Sequence, residues 1–151
     1  MANVTVTRRI DAPADVVFRT VAQVEQFSQA VPGILRVEFL SEVKSGVGAR
    51  FRETRMMMGR EASTELEVTE HVENERVRIV SEAGGALWDT VFTVVPDGEG
   101  AELKMVMDAQ PQTTSARMTM PLVLGMVRTA VEKDMDAVKA FCERPSQQAP
   151  Q

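Results

Sequence analysis

The sequence predicts an α+β fold: a seven-stranded, curved antiparallel sheet around one long C-terminal helix, with two short helices between strands 1 and 2. Three observations predict it. Near the C-terminus, Leu124, Val127, Val131, Met135, Val138 and Phe141/Cys142 recur at steps of three and four, the spacing of one helix face. Between residues 35 and 110, alternating runs are broken by Gly- and Pro-containing turns, the pattern of hairpin-linked strands. At the N-terminus, a strand pattern gives way at Asp11-Ala12-Pro13 to a helical one.

Taken in order, Val4–Ile10 alternates and forms the first strand. Pro13 suits the first position of a helix, where its missing N–H costs nothing, and Asp15 complements the helix dipole. Val17, Val21 and Val24 make an apolar stripe, so a helix runs from about Pro13 to Val24. A second short helix covers Gln26–Ala30 and is closed by Val31-Pro32-Gly33. Strands then occupy Leu35–Val43, Ala49–Met58, Glu61–Val72, Val77–Ala83, Ala86–Val95 and Ala101–Gln110. The closing helix, from about Pro121 to Glu143, is roughly 34 Å long at about 1.5 Å per residue. Arg128, Glu132, Asp136, Lys139 and Glu143 lie on its polar side. Gly125, one turn in, is either a weak spot or a flexible point.

The 151 residues fit one domain, residues 1–143, with an expected disordered tail at 144–151. A chain of this size needs no disulfide or metal to bury its core. A net charge of -5 argues against a general nucleic-acid binder, and against an anionic membrane surface as partner. The single Cys142 cannot form an internal disulfide and is consistent with a cytoplasmic location. Met1–Thr5 lacks the basic and apolar regions of a signal peptide. The apolar run Met120–Val127 is far shorter than the ~20 residues that span a bilayer, so no transmembrane segment is expected.

Turn lengths assign faces to the strands. With Gly59-Arg60 as a two-residue loop, Phe51, Glu53, Arg55 and Met57 share a face with Val68, Leu66, Thr64 and Ala62. Arg52 then faces Glu67 on the other side. With Gly84-Gly85 as the next loop, Val77, Ile79 and Ser81 face the same way as Trp88, Thr90 and Phe92. Parity carried onward adds Leu103, Met105 and Met107. The result is one apolar face, which must cover the helix. Glu53 and Arg55 interrupt it, and Arg8 can join them from the first strand. Inward charges are tolerated when paired. They are either the polar anchor of a partly wet pocket, or a sign of a register slip or of strand ends reaching solvent. Ten methionines and no tyrosine leave a similar choice between plain core filling and a deformable apolar pocket.

Catalytic signatures are sparse. Parity puts His71, the one histidine, on the outward face, so neither a metal-ligand cluster nor a Ser-His-Asp arrangement is suggested. Cys142 falls in the last helical turn and reads as a buried, inert thiol. Gly46-x-Gly48 and Gly98-x-Gly100 are hairpin turns rather than phosphate loops. No cofactor is expected.

Several segments carry a family likeness. Ile10-Asp11-Ala12-Pro13-Ala14-Asp15-Val16-Val17-Phe18, Val24-Glu25-Gln26-Phe27 with Val31-Pro32-Gly33-Ile34, Gly46-Val47-Gly48-Ala49-Arg50-Phe51, and the ending Val138–Glu143 resemble the START and birch-pollen-allergen-like (SRPBCC) superfamily. The likeness covers about residues 3–143. Among the bacterial members, the polyketide cyclase/dehydratase-like and coenzyme Q-binding-like subgroups are the ones it suggests. Gln23 departs from the Asp of many relatives. The resemblance implies a helix-grip fold, with a cavity between sheet and long helix for a small apolar molecule. Phe39, Phe51, Glu53, Arg55, Met57, Leu66, Ile79, Trp88, Phe92, Met105, Met107 and Met126 are the expected lining. The leading expectation is binding or carriage of a lipid-, polyketide- or quinone-like ligand. The alternatives are a cyclase/dehydratase-type enzyme with Glu53 as acid/base and Arg55 orienting a carbonyl, and a module that docks a protein partner.

Overall fold

The computed structural model describes residues 2–148. The order is β1 (Ala2–Ile10), α1 (Ala14–Ala22), α2 (Val24–Ala30), β2 (Ile34–Phe39), β3 (Arg50–Met57), β4 (Arg60–Val72), β5 (Arg76–Ala83), β6 (Ala86–Asp97), β7 (Gly100–Pro111), α3 (Thr114–Cys142) and α4 (Pro145–Gln148). The strands form one sheet in the order β1-β7-β6-β5-β4-β3-β2, every neighbouring pair antiparallel. This is the helix-grip architecture the sequence predicts. The segment expected as a tail begins with the single turn α4, and residues 149–151 lie outside the described residues.

The β5–β6 hairpin turns at Gly84-Gly85 as expected, and it sets Val77 against Phe92 and Ser81 against Trp88. The β3–β4 hairpin turns one residue earlier than expected. Met58 and Gly59 both have left-handed backbones, at φ 52° and 79°, the conformation of a tight two-residue hairpin. Phe51 therefore faces Leu66, and Arg52 bonds Glu65 at 3.0 Å rather than Glu67. The slip shifts each cross-strand partner by two residues. Side chains alternate with a period of two, so Phe51–Met57 and Ala62–Val68 keep their assigned faces.

The long helix begins seven residues before Pro121. Thr113 caps it, accepting the Ala116 N–H at 3.1 Å through its side chain. Over 29 residues α3 extends about 44 Å. Pro121 lies inside it and removes one backbone hydrogen bond from the second turn.

α3 packs against β1, β7, α1 and α2. Its C-terminal half supplies Val131, Met135, Val138 and Phe141 to a core that includes Ile10, Val17, Phe18, Val68, Val77 and Leu103. Cys142 is fully buried there. Its thiol donates to Thr20 Oγ1 at 3.3 Å, and burial pushes its pKa up. A separate small cluster forms at the helix start, where Met120 packs on Ala86 and Ala109. The methionines divide: Met105, Met120 and Met135 are buried, whereas Met56, Met57, Met58, Met118 and Met126 are exposed. Among the described residues, no helix is long and apolar enough to cross a membrane.

Candidate functional site

Between the two packed clusters, the inner face of the sheet is only partly covered, although Thr90, between Ile79 and Met107, is buried. Leu66, Ile79, Trp88 and Met107 point inward from β4, β5, β6 and β7, yet each is only half-buried. Leu124 and Val127, on the facing side of α3, are half-buried as well, and Leu124 touches both clusters. Side chains at the centre of a sheet that point toward its covering helix can meet water only if the helix stands off them. These residues form a half-buried apolar strip, the candidate groove. Trp88 is fixed in its wall by an indole N–H bond to the Ala83 carbonyl at 3.1 Å.

Polar groups edge the groove on the β3 side. Arg55 Nε donates to Glu53 Oε1 at 2.5 Å, and Arg55 Nη1 reaches both carboxylate oxygens of Asp134 at 2.9 and 3.1 Å. All three side chains are largely buried, with exposures of 24% for Arg55, 14% for Glu53 and 15% for Asp134. Burial pushes the Asp134 carboxyl above its ordinary value; Arg55 pulls it down, and the Glu53 charge adds to the rise. For Arg55, burial opposes the charged form, but Glu53 and Asp134 outweigh it and the net shift is upward. On the opposite flank, Arg8 Nε of β1 donates to Asp136 at 2.7 Å. Strands β1 and β3 thus hold α3 from its two flanks through successive acids, Asp134 and Asp136, which project to opposite sides of the helix.

The structure sorts the twelve expected lining residues. Phe51, Phe92 and Met105 are packed into the core. Phe39, Leu66, Ile79, Trp88 and Met107 are half-buried, and Glu53 and Arg55 form the polar edge. Met57 and Met126 are exposed to solvent. Met57 is the last residue before the hairpin turn, and Met126 falls on the α3 face that also exposes Met118 and Leu122. Asp134 was not among the twelve. Its signal was nonetheless legible, because Val127, Val131, Asp134 and Val138 keep the apolar spacing with one charge inserted.

His71 corrects the parity argument. A β-bulge between Val68 and Glu70 inserts one residue and reverses the face of the residues after it, so His71 pairs with inward-facing Val77. Its ring lies edge-on to Phe18, 5.3 Å between centroids, and Nε2 bonds Glu73 at 2.9 Å. It borders a polar cleft of about 290 Å³ between α1 and the β4–β5 turn, with Asp15, Arg19, Gln23 and Asn74. Among the described residues, no three His, Cys, Asp or Glu side chains converge as a metal site.

Comparison with known proteins adds the family. Residues 1–143 match the model of a family described as polyketide cyclase / dehydrase and lipid transport. The chain belongs to that family. The sequence resemblance to polyketide cyclase/dehydratase-like proteins implied this family. A START superfamily protein from Mycobacterium smegmatis superposes with a TM-score of 0.77 at 18% identity, over 93% of this chain and 97% of that one. A protein from Thermus thermophilus does so with a TM-score of 0.77 at 19% identity, over the same shares. The di-domain ARO/CYC StfQ from the steffimycin biosynthetic pathway gives a TM-score of 0.77 at 11% identity, over 93% of this chain and 50% of that one. At these identities the structural likenesses establish the fold. No curated protein sequence matches this chain.

Proposed function

We propose that this family member binds and carries a small apolar molecule in the groove between the sheet and α3. One observation carries the reading: Leu66, Ile79, Trp88 and Met107 point inward yet stay half-buried, whereas Val68, Val77, Phe92 and Met105 beside them are buried in the core. Leaving that much inward apolar surface wet costs roughly 25 cal/mol per Å², a cost that a lipid-, polyketide- or quinone-like ligand removes. The family's description, which includes lipid transport, supports the same class of ligand. Carriage is favoured over catalysis because Glu53, the candidate acid/base, already accepts a hydrogen bond from Arg55. A single, buried cysteine suits a reducing compartment, and the reading places the protein in the cytoplasm.

Native mass spectrometry of the purified protein tests the reading. The expected result is either a small-molecule adduct released by organic solvent, or saturable uptake of the neutral dye N-phenyl-1-naphthylamine. A ligand-free spectrum together with no dye uptake would sink it.

A further inference from the structure

We propose that the Glu53–Arg55–Asp134 cluster makes the groove select neutral ligands that carry a hydrogen-bonding oxygen, such as a ketone, ester, quinone or phenol, over carboxylates of the same shape. The inference rests on the groove reading above and adds the chemical class of the ligand's polar end.

The cluster holds one positive and two negative charges in a largely buried setting. Arg55 commits Nε to Glu53 and Nη1 to Asp134, while Nη2 has no partner among the described residues. Nη2 is not buried out of reach of water either, since His71 Nδ1 is the buried unpartnered side-chain atom found among the described residues. A neutral oxygen at the groove edge can therefore accept from Nη2 without disturbing either ion pair. A carboxylate meets two carboxylates already in place. The cation on the other flank of α3, Arg8, is likewise engaged by Asp136. To gain Arg55, an anionic ligand has to displace Asp134 and leave that charge largely buried and unpaired, which is the costly outcome for an ion pair. Discrimination then comes from repulsion built into the edge rather than from a better fit. Asp134 is the specificity residue in this arrangement, acting on the ligand's charge directly and through its hold on Arg55.

The test compares methyl 2-naphthoate with 2-naphthoate, the same ring system with and without a charge, as displacers of N-phenyl-1-naphthylamine at neutral pH. The ester is expected to bind at least about tenfold more tightly, a difference of ~1.4 kcal/mol. Any apolar groove favours an ester to some degree, so the variants decide. Asp134→Asn and, separately, Glu53→Gln are expected to lower the ester-to-acid affinity ratio severalfold by tightening 2-naphthoate. Circular dichroism confirms the fold of each variant, and either one alone suffices. Equal binding of ester and acid by the unaltered protein, or an unchanged ratio in a folded variant, overturns the selectivity while leaving the groove intact. Failure of both probes and of the dye to bind overturns the groove reading and the selectivity with it.

Discussion

At the residue scale, Asp134 carries the most consequence for its size. It stands in the apolar stripe of α3, where a valine or leucine would satisfy the periodicity, and it is tolerated because Arg55 reaches it from β3. Its raised carboxyl gives a signed expectation. The folded chain holds this proton more tightly than the unfolded chain, so stability falls as pH rises from the ordinary aspartate value of 3.8 through the folded value. Glu143 acts in the opposite sense. The Asp11 backbone N–H and Lys139 lower its pKa, so its contribution is present above the ordinary glutamate value of 4.5 and fades as pH falls. In urea unfolding between pH 4 and 7, Asp134→Asn is expected to remove the decline assigned to Asp134. Arg55→Ala, which leaves two carboxylates unpaired, is expected to cost about 1–3 kcal/mol at pH 7 and less at pH 4. Parallel pH curves for all three proteins would show that the cluster is not coupled in this way.

At the element scale, the strands were the most legible part of the chain. Tight turns specify where a hairpin closes only to within a residue, yet the β3–β4 slip moved partners by an even step and left Glu53 and Arg55 facing inward. The bulge at Thr69 was invisible because nothing in Val68-Thr69-Glu70 departs from alternation, and it alone reversed His71. Hydrophobicity also could not say which methionines turn outward: Met118, Leu122 and Met126 look like core residues in sequence and form an exposed stripe. The start of α3 was missed because Pro121 resembles a first-turn proline, while Thr113 is the real cap. The two halves of α3 differ accordingly. Between Thr114 and Ala130 the helix buries only Ala116 and Met120 and contains Pro121; beyond it, Val131, Met135, Val138, Phe141 and Cys142 are all buried. Amide hydrogen exchange is expected to be at least about tenfold faster over residues 117–128 than over 131–142, because local opening there exposes less apolar surface. Uniform protection along α3 would refute this division.

At the scale of the whole molecule, the fold explains why a groove exists. A curved sheet can follow a helix closely along one flank or the other, and here α3 follows β1 and the α1 side. The ion pairs to Arg8 and Arg55 tie the helix to β1 on one flank and to β3 on the other, and Leu124 and Val127 in its N-terminal half stay half-buried. Family, fold and the inner face apart from His71 could be read in the sequence. The groove's polar edge could be read only in part, since it depends on where the helix lies across the sheet. The chain's single tryptophan, Trp88, lies in the groove wall and reports on that space without any mutation. The most direct measurement is contact quenching of its fluorescence by 8-bromooctan-1-ol, with octan-1-ol as the bromine-free control. A ligand held in the groove gives saturable quenching that octan-1-ol reverses by competition. Quenching that rises linearly without saturation, or saturable binding that leaves Trp88 emission unchanged, would contradict the assignment of the groove as the binding site.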